Sequence, residues 1–235
     1  LALEMIAPSA ALVKIGIEGV SGKDGIKEGL NVIDLSLYRG SDDPTVADLV
    51  RYRQFKHSTR HADKAWTASG LVKTLKGFAE RYRSLVRLHA APDVARRFRF
   101  EFESTRPVAE EAAGALADLA VAVESRRSKY FRAQLPLAGD ALAAFAGLVD
   151  ILDPAPGFLI QRDLLAQDLR AYLPDLDVDA PVKLKDLVAR KATSEFETDP
   201  VITRHDVLTA IGANEGELFP ADCLVGGPDP IGPRV

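Results

Sequence analysis

The sequence has very few of the residues that form disulfides, cysteine-bound zinc sites or membrane spans. Its 235 residues include a single cysteine, Cys223, so the chain can form neither an internal disulfide nor a zinc site built from several cysteines. No apolar run approaches the roughly 18 residues that a membrane helix needs, and no secretory signal pattern stands at the start. These absences argue against disulfide-rich secreted proteins and against membrane proteins. We expect a cytoplasmic protein without a membrane partner.

The chain does contain enough apolar material for a folded core, since 47% of its residues are hydrophobic. A chain of this size forms one large domain, or one domain with a helical appendage. The first residue is Leu1 rather than methionine. We therefore expect the natural start to lie upstream and the chain to be a fragment of a larger protein.

Positive charge is concentrated in one part of the chain. The net charge is −4, which taken alone argues against nucleic-acid binding. Residues 51–106, however, hold 14 lysines and arginines against 5 acidic residues, and residues 126–132 form a second basic cluster. Clustered positive charge favours phosphate binding whatever the total charge. The alternative interpretation is a solvated helix face.

The hydrophobic pattern predicts an α/β core followed by a mostly helical C-terminal part. Residues 10–56 favour strands separated by turns, and residues 67–86 carry the apolar stripe of a helix. Residues 86–89 favour a short strand, and residues 98–102 alternate phenylalanine with charged residues, as in a strand with one buried face. Further helices are predicted at residues 107–123, 139–151, 159–172, 182–192 and 206–211, the last with Thr203 as its N-cap.

Composition divides the chain into three predicted parts. The core takes residues 1–135, and the helical extension takes residues 136–222. Residues 223–235 are rich in glycine and proline, which is typical of a linker or tail.

Two predicted strands, at residues 32–38 and 53–58, carry the side chains with the clearest chemistry. Side chains two apart on a strand point to the same face. We therefore expect Gln54 and Lys56 to project together, and Phe55 to enter the core from the opposite face.

If these two strands pair, Asp34 comes beside Gln54 and Lys56. An acid, an amide and a lysine on one face of a sheet suit a divalent cation and a phosphate. The alternative is a structural pair, in which Asp34 forms a salt bridge with Lys56 and has no chemical role.

Asp34, Gln54 and Lys56 resemble the motif of the PD-(D/E)xK nuclease superfamily, in the variant that reads QxK, as in Mrr-like restriction enzymes. The resemblance implies a restriction-endonuclease-like mixed sheet flanked by helices, and an endonuclease that cleaves double-stranded DNA with Mg²⁺ or Mn²⁺. It implies that Asp34 binds the metal, that Gln54 supplies a neutral oxygen ligand or orients a water, and that Lys56 contacts the scissile phosphate or the attacking hydroxide. Many members add an upstream acid, for which Glu18 is the best candidate and Glu4 the second.

The resemblance also implies a DNA-binding surface on the helix after the motif. Its basic residues would grip the phosphate backbone without reading sequence. The candidates are Arg60, Lys64, Lys73 and Lys76.

The order of predicted strands and helices over residues 10–220 resembles the nuclease domains at the N-terminus of bacterial antiviral NTPases of the STAND class. This implies an effector of anti-phage defence, held inactive until a C-terminal sensor detects a phage protein. It also implies a homo-oligomer formed through a C-terminal NTPase module that this chain does not contain. Residues 203–221 resemble the connector before such a module.

Two other functions remain open. The missing second acid favours a nuclease-like fold without catalysis that serves as a DNA-binding or oligomerisation module. A helical interaction scaffold without nucleic acid would require the basic residues to scatter over the surface.

Overall fold

The chain folds around a mixed β-sheet flanked by helices, described by a computed structural model for residues 1–7, 10–18, 25–57, 63–152, 154–172, 178–193 and 200–213. In this part of the chain the strands lie in the order β5-β4-β3-β2-β1-β6. Their bounds are β1 Leu12–Ile17, β2 Leu35–Arg39, β3 Leu49–Lys56, β4 Phe98–Ser104, β5 Val149–Ile151 and β6 Val201–Thr203. Strands β1 to β3 and β6 pair antiparallel, whereas β3, β4 and β5 run parallel. The predicted α/β class is confirmed at this level.

The helices follow the strands on both sides of the sheet. Their bounds are α1 Ala68–Leu88, α2 Ala91–Arg97, α3 Glu110–Ala120, α4 Lys129–Gln134, α5 Gly139–Ala146, α6 Phe158–Tyr172, α7 Ala180–Ala192 and α8 Arg204–Ile211. Single 3-10 turns occupy Ala2–Ile6 and Leu30–Val32. Of the helices described, none combines the length and apolar character that crossing a membrane requires.

Helix α1 connects β3 to its parallel neighbour β4 and packs on the sheet. It begins after Thr67, whose hydroxyl accepts a hydrogen bond from the Gly70 N–H, as an N-cap does. The predicted apolar stripe is buried along its whole length, which confirms the predicted helix. The stripe consists of Leu71, Leu75, Phe78, Tyr82 and Leu85.

The two faces of the sheet bury different sets of residues. The front face, which α1 covers, carries Tyr38, Tyr52 and Phe100 in the larger core cluster. The rear face carries Ile15 and Leu37, packed with residues of α7 and α8 in the second cluster. Because side chains alternate along a strand, each residue of β2 and β3 belongs to one of these faces by its parity.

Several predicted elements are wrong in their bounds. Residues 86–88 complete α1 instead of forming a strand, and the helix predicted from residue 107 begins at Glu110. The helix predicted over residues 139–151 ends at Ala146. Residues 149–151 form a strand because they pair in parallel with β4, whose other edge is otherwise unpaired among the described residues. Local periodicity does not reveal such pairing.

The N-cap predicted at Thr203 is confirmed. Its hydroxyl accepts from the Asp206 N–H, while the Asp206 carboxylate accepts from the Thr203 N–H at 2.8 Å, a reciprocal capping box. Helix α8 then buries Val207, Leu208 and Ile211 against the rear core, so residues 201–213 belong to the folded unit. The remainder of the predicted connector, and the tail at residues 223–235, lie outside the described residues.

The predicted division at residue 135 stays a prediction. Strands β5 and β6 both come after that point in the chain, yet they form the two edges of the sheet.

An ion pair anchors the segment after α3. Arg127 donates to both carboxylate oxygens of Asp118, with Nη2 at 2.6 Å from Oδ1, and its guanidinium lies against Gly114. The hydrogen bonds from Arg127, and next from Ser125, lower the pKa of Asp118 from its ordinary value of 3.8 to about 2.

This pair predicts a specific acid sensitivity. Because the folded-state pKa lies below the ordinary value, the pair stabilises the fold above about pH 4, and that contribution is lost as the pH falls towards about 2. Asp118→Asn should lower the free energy of unfolding at pH 7 and flatten its decline between pH 4 and pH 2, measured by urea unfolding. Arg127→Ala should do the same. A variant with the wild-type decline would contradict this.

Candidate active site

Asp34 lies where β2 begins and β3 ends, on the front face. Its backbone N–H donates to the Arg53 carbonyl at 2.9 Å, and its carbonyl accepts from the Glu18 N–H at 2.8 Å. The hydrogen bonding of β2 with β3 and β1 therefore continues for one residue beyond the start of β2. The predicted strand start is wrong, because β2 begins at Leu35 and residues 30–32 form a 3-10 turn.

Close packing on α1 fixes the segment that leads to Asp34. Gly29 has a φ of 72°, and a Cβ there would lie 2.2 Å from the Gly77 carbonyl oxygen of α1. A Cβ on Gly77 would in turn lie 2.3 Å from Val32. Only glycine permits this backbone approach. Arg81, one turn further along α1, donates to the Ile26 carbonyl at 2.7 Å and holds the start of the segment.

The Asp34 carboxylate is held by the end of β3. Its Oδ2 accepts hydrogen bonds from the Gln54 side-chain amide and from the Phe55 backbone N–H, the latter at 2.6 Å. The sequence prediction that Asp34 comes beside Gln54 agrees with this geometry. The alternative salt bridge between Asp34 and Lys56 is not formed, and the Lys56 ammonium makes no hydrogen bond or ion pair with any described residue.

The orientation of the Gln54 amide follows from its partners. Its Nε2 faces two acceptors, the Asp34 carboxylate and the Phe55 carbonyl at 3.2 Å, so the amide oxygen must point the other way. That oxygen is buried and has no hydrogen-bond partner within the described residues, while the residue as a whole is 3% exposed. A buried carbonyl oxygen without a donor is costly and calls for an explanation.

The donor set is compatible with a hard divalent cation. Mg²⁺ and Mn²⁺ take carboxylate and amide oxygens. Asp34 and Gln54 carry one of each, although the amide nitrogen of Gln54 is the atom that faces Asp34. In the part of the chain that the structure describes, no three histidine, cysteine or acidic side chains are grouped to hold a metal. Asp34 and Gln54 together offer a cation one carboxylate and one neutral oxygen.

The prediction that Phe55 enters the core is wrong. Its side chain is 37% exposed, whereas Gln54 is buried on the front face and Lys56 is half-buried. The parity of β3 is set by Val50 and Tyr52, which are fully buried under α1. Gln54 and Lys56 continue that parity, so they do share a face as predicted, and Phe55 falls on the rear.

Sequence reasoning missed the network on the rear face behind this site. Glu101, which is 1% exposed, accepts from Arg51 at 2.8 Å and from Arg53 at 2.7 Å, and Arg53 also donates to Glu103 at 2.7 Å. The pattern was visible, since arginines at alternate positions of one strand face glutamates at alternate positions of the next. Burial, and then the charge of Glu101, raises the pKa of the neighbouring Asp150.

A second missed group lies beside Lys56. Lys56 is in parallel register with Ser104, whose buried hydroxyl accepts from the Trp66 indole N–H at 2.7 Å. The Arg106 guanidinium stacks on Trp66 with 4.5 Å to the ring centroid and donates to the Lys64 carbonyl. These contacts tie the entry of α1 to the end of β4. Sequence offered one signal, the single tryptophan of the chain.

The two candidates for an additional acid differ in position. Glu18 follows β1, is exposed, and has a strained φ of 50°; its backbone contacts Asp34, as described above. Glu4 instead pairs with Arg39, at the opposite end of β2 from Asp34. Glu4 is therefore not part of this site.

The predicted DNA-binding residues are not equivalent. Arg60 lies outside the described residues. Lys64 and Lys73 are exposed. Lys76 is half-buried and donates to the Gln134 side chain at 3.2 Å, so part of its role is to join α1 to α4.

The positive surplus of residues 51–106 does not form a single surface. Arg51 and Arg53 neutralise the rear-face glutamates. Arg81 is fully buried, and Arg97 is 7% exposed and donates to the Ala47 carbonyl at 2.8 Å. These four arginines are structural, so the surplus of positive charge in residues 51–106 overstates the charge available to bind phosphate.

The described cavities lie elsewhere. One of about 240 Å³ is lined by Tyr52, His89 and Phe98, near the start of β4. Burial is the main cause that lowers the pKa of His89 there. An open cleft of about 960 Å³ lies beside Asp118 and Arg127. Neither includes the residues of the motif.

No family model matches the sequence, and no curated protein matches it. The assignment of chemistry therefore depends on the residues and the geometry described above.

Proposed function

We propose that this chain is a metal-dependent endonuclease domain that cleaves double-stranded DNA. One arrangement carries the proposal. One end of the front face carries the Asp34 carboxylate, the buried and unpartnered amide oxygen of Gln54, and Lys56, which has no partner among the described residues. A purely structural site would pair the lysine with the acid.

The topology supports the restriction-endonuclease-like fold that the resemblance implies. Three antiparallel strands, β1 to β3, are followed by the crossover helix α1 and by β4 parallel to β3. The candidate residues lie where β3 and β4 end. Ligand sites of open α/β sheets lie outside the carboxyl ends of the parallel strands.

In this proposal each residue has a separate role. Asp34 and the Gln54 oxygen hold the cation, and a bound Mg²⁺ or Mn²⁺ supplies charge neutralisation and a more acidic water at the phosphate. Lys56 places a compact positive charge against the scissile phosphate, where negative charge develops during cleavage. Glu18, whose backbone N–H donates to the Asp34 carbonyl, is the candidate for a second carboxylate from the adjoining strand end.

DNA binding should depend on the exposed lysines near the start of α1. Lys73→Glu should weaken binding of unrelated duplexes alike, because phosphate contacts carry no base information. If Lys73 neutralises one phosphate, the slope of log K against log[salt] should lose about 0.9. Fluorescence anisotropy over a salt series measures both effects.

Lys27→Glu is the matched control for this prediction. Lys27 is an exposed lysine next to Ile26, which contacts the middle of α1 at Arg81. Its reversal changes the net charge equally but should leave the salt slope unchanged. Equal effects of the two reversals would show that Lys73 acts only through net charge.

The biological role in the proposal is that of an anti-phage effector. It rests on the sequence resemblance to nuclease domains of STAND NTPases. One active site cuts one strand, so a double-strand break requires two copies, which assembly through an NTPase module would bring together.

A second candidate function is a nuclease-like fold without catalysis. The observation in its favour is that the Asp34 carboxylate already accepts two hydrogen bonds from its own chain. Such a protein would bind DNA through its lysines and leave it intact.

Plasmid nicking distinguishes the two functions. The domain should convert supercoiled plasmid to nicked circles with MgCl₂ or MnCl₂, and an excess of EDTA should stop the reaction. Binding without cleavage under all these conditions would contradict the nuclease proposal and favour the inactive fold.

A further inference from the structure

We propose that the neutral Gln54 amide keeps the affinity of the site for a cation low, so that a cation binds tightly only together with a DNA phosphate. This inference rests on the proposed function, since it concerns the regulation of the same site. Gln54 now presents Nε2 to Asp34, and an NH₂ group cannot ligate a cation.

Cation binding therefore requires a change in the Gln54 side chain. The amide must turn so that Oε1, which is buried and unpartnered in the described structure, replaces Nε2 beside Asp34. The turn breaks the hydrogen bonds of Nε2 to Asp34 and to the Phe55 carbonyl. The cation must offset this loss before any net affinity appears.

The charge of the site adds to this cost. Of the two residues Asp34 and Gln54, only Asp34 carries a negative charge, because the Gln54 amide is neutral. Ligand charge sets the affinity of oxygen sites for divalent cations. A DNA phosphate supplies the missing negative charge, so cation and duplex should each strengthen the binding of the other by the same factor.

Gln54→Glu tests this control of cation affinity without measuring cleavage. With no cation, the new carboxylate faces Asp34, so like charges should lower the melting temperature. With MgCl₂ and no DNA, the two carboxylates should bind the cation at least about tenfold more tightly than the wild type does. Calorimetry gives this affinity, and the melting temperature should rise with MgCl₂ far more in the variant.

Gln167→Glu is the matched control. It makes the same change at an exposed position of α6 and should leave the cation affinity and the melting temperature as in the wild type. For the wild type, CaCl₂ added to a duplex-binding titration should lower the dissociation constant of the duplex at least fivefold, through the coupling of the two ligands.

Two results would overturn this inference about Gln54. One is a wild type that binds Mg²⁺ without DNA as tightly as Gln54→Glu does. The other is duplex affinity that is unchanged by the cation. Either result is compatible with a working nuclease, since plasmid nicking is scored separately. A protein that shows the coupling but never nicks plasmid would instead contradict the proposed function alone.

Discussion

Lys56→Ala should reduce plasmid nicking by at least about 10²-fold, the usual loss when a group that stabilises developing charge is removed. The free energy of unfolding should change by less than about 0.5 kcal/mol. Both expectations follow from the geometry. Lys56 is half-buried at the end of β3, and its ammonium makes no hydrogen bond or ion pair with the described residues, so the fold loses little with it.

The controls for Lys56 separate charge from position. Lys27→Ala removes an exposed lysine beside Ile26, which contacts α1 at Arg81, and should nick at the wild-type rate. Lys56→Arg keeps the charge but replaces a compact ammonium with a planar, longer group, so it should recover part of the rate. If Lys56→Ala nicks as fast as Lys27→Ala, the catalytic role of Lys56 is wrong.

Gly29→Ala should cost about 3 kcal/mol of folding free energy, combining left-handed backbone strain with overpacking. The Cβ would meet the Gly77 carbonyl oxygen at 2.2 Å, and that backbone lies inside α1, which cannot move away. The same segment carries Asp34, so nicking should decline with stability. Urea unfolding measures the first effect and plasmid nicking the second.

Gly212→Ala is the matched comparison for Gly29→Ala. Gly212 has nearly the same φ, 73°, and ends α8, but a Cβ there would have no heavy atom within 4 Å. It should cost only the backbone strain, about 1 kcal/mol. Equal costs for the two substitutions would show that the contact of Gly29 with α1 does not hold the segment in place.

Sequence patterns predicted the elements whose periodicity is long or strongly alternating. Helix α1 was predicted by its apolar stripe, and β4 by phenylalanines at alternate positions. Short elements were missed because partners distant in sequence decide them. Residues 149–151 become a strand through pairing with β4, and residues 30–32 turn because Gly29 packs on α1.

The geometry of the candidate site was predicted only in part, because some of its contacts also depend on partners distant in sequence. Spacing on one strand is enough to place Gln54 and Lys56 on a common face. Whether that face is buried depends on Val50 and Tyr52 meeting α1, which is why the prediction for Phe55 was wrong. The amide orientation of Gln54 depends on two acceptors from different parts of the chain, and no local pattern encodes it.

The rate of plasmid nicking by Asp34→Asn, measured beside the wild type over a MgCl₂ series, tests the central claim most directly. The substitution keeps the shape of the side chain and removes the charge that we propose binds the cation. The wild type should nick in MgCl₂ and stop in EDTA, while folded Asp34→Asn should show no nicking above background at any MgCl₂ concentration. Nicking by Asp34→Asn at the wild-type rate would contradict the assignment of this site.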